Sequence, residues 1–132
     1  MKKLLPILAI SLLSGCSWLQ FQAPFDTAEY SVLTQIYTDA ETFSQDCADT
    51  DKTKQNFTKM RIDARYLVNY STDLPANDLT LGMVKNLQTI VEGAYQMYQS
   101  PGQHSKAYCE LKLNAIKTAA ETVKKAAAQR RR

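Results

Sequence analysis

Glycine, proline and histidine are scarce in this chain. Four Gly and four Pro in 132 residues, with no low-complexity tract, exclude a chain disordered throughout. The one histidine, His104, has no paired cysteine or carboxylate motif beside it, so it is expected in a loop and not at a metal. No Gly-rich phosphate loop and no nucleophile-elbow pattern occurs. The acidic cluster Asp46, Asp49 and Asp51 lacks the glycine and the twelfth-position glutamate of a calcium loop. Those residues are expected to end one helix and cap the next. The sequence therefore predicts no catalytic residue, no metal and no cofactor, and a protein that is not an enzyme. No small-molecule substrate is expected. No stretch alternates as a strand does, and no apolar run reaches the roughly 20 residues that span a bilayer.

What is present is unevenly charged. Lys2 and Lys3 stand at the very start. From Ser17 to Ser105 there are six basic and eleven acidic residues. From Lys106 to Arg132 there are eight basic and two acidic. An acidic body with a basic last segment gives no electrostatic footprint for nucleic acid.

Residues 1–15 have the three parts of an export signal. Met1-Lys2-Lys3 is positive, Leu4 to Leu13 is apolar, and small residues precede Cys16. The run Leu13-Ser14-Gly15-Cys16 resembles the lipobox of bacterial lipoproteins. That resemblance implies cleavage before Cys16 and lipid on its thiol, with several acyl chains making the attachment stable. Ser17, in place of Asp, implies by analogy with enterobacterial sorting an outer-membrane address, with the body in the periplasm. Residues 16–25 form a short tether. Its Trp18, Leu19, Phe21 and Phe25 are expected either at the membrane interface or, for Phe25, stapled onto the first helix.

Residues 26–132 carry four stretches with apolar side chains at steps of three and four. The first is capped at Asp26 or Thr27 and carries Tyr30, Leu33, Ile36, Tyr37, Ala40, Phe43 and Cys47. The second runs from about Thr50 to Tyr70 with Phe57, Met60, Ala64, Leu67 and Val68 on one face. Ser71 to Asn77 is expected as a loop. The third starts near Asn77 or Asp78 and ends before Ser100-Pro101-Gly102. The fourth starts near Ser105 and carries Cys109, Leu113, Ile116, Ala120, Val123 and Ala127. The expected fold is all-α, an antiparallel up-down-up-down four-helix bundle.

In that topology Cys47 and Cys109 lie at the same end of the bundle, on the apolar stripes of their helices. Export permits pairing, so a Cys47–Cys109 disulfide is predicted, the alternative being two buried thiols. The same topology returns the fourth helix to the tether. Lys124, Lys125, Arg130, Arg131 and Arg132 are then candidates for contact with lipid headgroups, the alternative being cations that favour a helix C-terminus.

One feature is surplus to a bundle. Ile62, Tyr66 and Tyr70 lie roughly opposite the apolar stripe of the second helix. They are either additional core or a surface for a protein partner.

The leader and the placement of Cys47 and Cys109 look like the plan of the secretin pilotins of type II secretion, small outer-membrane lipoproteins with four helices. That resemblance, one of layout, implies an adaptor for another envelope protein. An alternative is an envelope lipoprotein of a phage or mobile element, used for entry exclusion or lysis.

Overall fold

The computed structural model describes residues 23–102 and 104–130. The leader, Cys16, the tether up to residue 22, Arg131 and Arg132 lie outside the described residues. Four helices form: α1 (Thr27–Thr42), α2 (Thr50–Asp73), α3 (Asp78–Gln99) and α4 (Lys106–Ala128). No strand occurs among the described residues.

Three of the four helices, α1, α2 and α4, start where a short polar side chain takes over unpaired backbone donors. Asp26 is extended and its carboxylate accepts from the Glu29 N–H at 2.7 Å. Phe25, the residue before that cap, packs on Tyr30 with ring centroids 5.5 Å apart, which is the hydrophobic staple. Asp49 accepts from the N–H groups of Asp51 and Lys52, both at 3.1 Å. Ser105 accepts from Tyr108 N–H at 3.2 Å.

Two boundaries differ from the periodicity. The first helix does not continue to Cys47 as α-helix. It tightens into a 3₁₀ turn, Phe43–Asp46, whose i→i+3 bonding brings the chain round to the Asp49 cap. The second helix does not stop at Tyr70. It runs on to Asp73, so the start of the expected loop is a last helical turn whose Ser71 is buried. The Ser71 hydroxyl is held by a partner on α1, described below, and this tertiary bond extends the helix.

The turn between α2 and α3 passes through Ala76 at φ 55°, a left-handed conformation that costs an L side chain roughly 1 kcal/mol. Its carbonyl accepts from the Ala23 N–H at 2.9 Å, which seats the buried Ala23 against this turn.

The contacts along the helices make every consecutive pair antiparallel. Tyr70 near the end of α2 meets Asp26 at the start of α1. Phe57 near the start of α2 lies 5.0 Å from Tyr98 near the end of α3. Tyr98 meets Tyr108 at the start of α4. Lys117 and Lys124 of α4 lie over Tyr37 of α1. The bundle is therefore up-down-up-down. Packing is closest within two pairs, α1 with α4 and α2 with α3. Leu33, Ile36, Phe57, Met60, Leu87 and Ile116 are fully buried between them. Each such side chain contributes about 1.5–3 kcal/mol by burial.

Cys47 and Cys109 are joined, with Cα atoms 5.5 Å apart. Their separation of 62 residues makes the bridge worth about 4 kcal/mol on the chain-entropy account. It closes the end of the bundle opposite Ala23.

Candidate functional site

α2 is apolar on two sides. Inward, Phe57, Met60, Ala64 and Leu67 are buried. Outward, Ile62 is 62% exposed and Tyr66 is 53% exposed, so neither is core. Tyr66 stacks on Tyr70 at 6.1 Å. Tyr70 is half-buried, and its hydroxyl donates to Asp26 Oδ2 at 3.1 Å. That bond, to a charged acceptor, raises the Tyr70 hydroxyl above its usual range. The structure thus brings the three predicted residues together, with Ile62 and Tyr66 open and Tyr70 tied to the α1 cap.

Charged residues frame this strip. On the side toward α3, Arg61 grips both oxygens of Glu92 at 2.8 and 3.1 Å and stacks over Tyr95 at 4.2 Å. Gln96 adds a third bond to Glu92 at 2.9 Å. The Arg61 bond foremost, and that of Gln96 next, hold the Glu92 carboxyl below the usual range. Arg65 reaches Glu92 only at 3.5 Å, and Lys54 has no acidic partner among the described residues. On the side toward α1, Lys59 holds both Asp39 and Asp63. Partial burial works against the Lys59 charge, and the two carboxylates outweigh it, so its pKa is raised.

The basic tail divides. Arg130 is not a headgroup contact. It is 6% exposed, with its guanidinium Nη1 at 2.6 Å from Glu29 Oε2, inside the bundle. A side chain turned into the protein cannot reach a lipid surface. Lys124 also turns inward in part, lying over Tyr37 at 4.7 Å and Tyr30 at 5.8 Å. Lys125 is exposed and pairs with Glu121 at 2.7 Å.

Glu29 is 0% exposed and gathers the bundle's open end. Its Oε1 accepts from the Ser71 hydroxyl at 2.6 Å and from Asn77 Nδ2 at 3.1 Å. Asn77 Nδ2 also donates to the Ser71 carbonyl at 3.0 Å. One carboxylate in α1 therefore binds the end of α2, the cap of α3 and, at Arg130, the second residue after α4. By position alone Glu29 is an acid in the first turn of α1, and Arg130 falls in the basic tail. A signal was present. Glu29 lies four before Leu33, Ser71 four after Leu67 and Arg130 three after Ala127, so each continues its helix's buried stripe.

At the other end His104 closes the α3–α4 loop. Its Nε2–H donates to the Met97 carbonyl at 2.8 Å, and its ring packs on Tyr98 and Tyr108. Among the described residues no group of three or more His, Cys, Asp or Glu side chains is placed to hold a metal ion. None of their helices is long and apolar enough to cross a membrane. Compared with protein-family models, curated proteins and solved structures, the chain matches none of them.

Proposed function

We propose that this chain is a non-enzymatic lipoprotein of the bacterial outer membrane, attached through lipid on Cys16, whose periplasmic helical body is an adaptor for another envelope protein. The Leu13-Ser14-Gly15-Cys16 motif and the charged, apolar and small segments around it support the attachment. The observation that carries the adaptor role is the exposure of Ile62 and Tyr66, side by side on a helix whose core face is already filled. An exposed apolar and aromatic pair on a rigid helix is the kind of surface on which protein partners dock.

The test is a crosslinked pull-down of the lipidated protein from its own envelope, run beside Cys16→Ala and Tyr66→Ala. Cys16→Ala should abolish lipid labelling and release the protein from membranes. Tyr66→Ala should lower capture of the partner while leaving the melting temperature nearly unchanged. Continued lipid labelling of Cys16→Ala would remove the anchor. Undiminished capture by Tyr66→Ala would remove the docking face.

A further inference from the structure

Resting on the adaptor role above, we infer that the outward strip of α2 takes a protein segment with an apolar face and carboxylates along one edge. At 100° per residue, Gln55, Thr58, Ile62, Tyr66 and Asn69 form one uncharged outward strip. Lys54 and Arg65 stand on the side of that strip facing α3. They are eleven residues apart, about 16 Å at 1.5 Å per residue. Neither cation is neutralised as its neighbours are. Lys54 has no acidic partner among the described residues, and Arg65 meets Glu92 only at 3.5 Å while Arg61 already holds that carboxylate at 2.8 Å. Lys54, Ile62 and the carboxylate-bound Lys59 line one shallow depression of about 430 Å³ together with Gln99 of α3, and Lys54 is the cation there that no carboxylate among the described residues holds. A cation and an apolar side chain in the same hollow fit an aliphatic stem that ends in a carboxylate.

The opposite edge differs. There Lys59 is engaged by Asp39 and Asp63 and Lys52 lies 3.9 Å from Asp46, so that among the described residues three carboxylates meet two cations on that edge. The attraction is therefore one-sided. This separates a protein segment from an anionic lipid surface. A segment can present its carboxylates to the Lys54–Arg65 edge alone. A membrane would press on both edges, meeting Asp63 as well as Asp51 and Asp73 at the two ends of the helix, and like charges would oppose it. Charge complementarity of this kind sets partner choice and on-rate more than raw affinity.

The experiment places a photo-crosslinking residue at position 66 of the full-length, lipidated protein and identifies the crosslinked peptide from the native envelope by mass spectrometry. The expected adduct is a peptide with apolar residues at helical spacing and Asp or Glu along one side. Lys54→Glu combined with Arg65→Glu should reduce that adduct about tenfold, with Lys54→Glu alone giving a smaller loss and an unchanged melting temperature. A neutral or basic peptide, a lipid adduct, an adduct indifferent to charge reversal, or no adduct at position 66 would each overturn the inference. The adaptor role fails separately: it falls if crosslinking of the whole protein also captures no envelope protein, and it stands if capture persists without dependence on Lys54 and Arg65.

Discussion

Arg130 lies 2.6 Å from Glu29, so the second residue after the last helix is ion-paired with the first turn of the first. The two charges touch without an aligned N–H···O bond, and Arg130 Nη2 has no protein partner among the described residues. A buried pair of this kind adds modestly to stability when whole and costs much when halved.

Glu29→Ala or Arg130→Ala should therefore lower unfolding free energy by roughly 3–5 kcal/mol, each leaving one charge buried alone. Replacing both with apolar residues of similar size should return part of that loss. Urea unfolding of the two single variants and the double variant measures it. Single variants within 1 kcal/mol of wild type would show that the pair is not desolvated.

Ala76→Gly should stabilise the protein by up to about 1 kcal/mol, because glycine adopts the φ of 55° without the steric cost that alanine bears. The entropy glycine gains in the unfolded chain offsets part of this. A rise in melting temperature is expected, and a fall would mean that the turn relaxes around alanine.

Replacing Cys47 and Cys109 together by serine should lower stability by about 4 kcal/mol, most of it through a looser unfolded chain. Non-reducing mass spectrometry of the wild type should find both thiols blocked. Two reactive thiols in the exported protein would contradict the bridge.

Stability should fall in acid partly through Glu92. Its pKa is held down by Arg61 first and Gln96 second. A group whose folded pKa is depressed contributes fully above its unfolded pKa, and loses that contribution as pH falls through the folded value. Wild type should thus exceed Glu92→Gln by a constant margin near neutrality, and the margin should shrink below about pH 4. The margin is small, because the pair is partly open to solvent and screened by it. A gap that does not change with pH would mean that Glu92 acts by shape and not by charge.

Much of the architecture was legible in the spacing of apolar residues. The stripe through Leu33, Ile36 and Ala40 and the stripe from Cys109 to Ala127 are both buried as spaced. Those same stripes placed Cys47 and Cys109 at one end, where they are joined. What escaped was polar. Local pattern puts Ser71 in a loop, because Pro75 and Asn77 follow it and a serine near a proline ordinarily signals a turn. Only the long-range bond to Glu29 makes it helical core. Arg130 opens an arginine run and so reads as tail, while its burial depends on a carboxylate about a hundred residues away in the chain. Local pattern carries no information about such pairs. The outward strip was legible as a second apolar side of α2, but its exposure was not, since only the packed bundle shows that no other helix covers Ile62 and Tyr66 among the described residues.

The disulfide has a consequence for how the body bears force. Ala23 and Arg130 emerge at the same end, so a pull on both chain ends would peel α1 and α4 apart like a zipper, one turn at a time, and would not slide them past each other. The Glu29 cluster would be the first thing to give, and separation would run down the bundle until it met Cys47–Cys109. There it would stop, because the link is covalent. α2 and α3 lie beyond that stop, between the two cysteines, and would carry none of the tension. A partner held on α2 would stay docked to a folded surface while the rest of the body stretched.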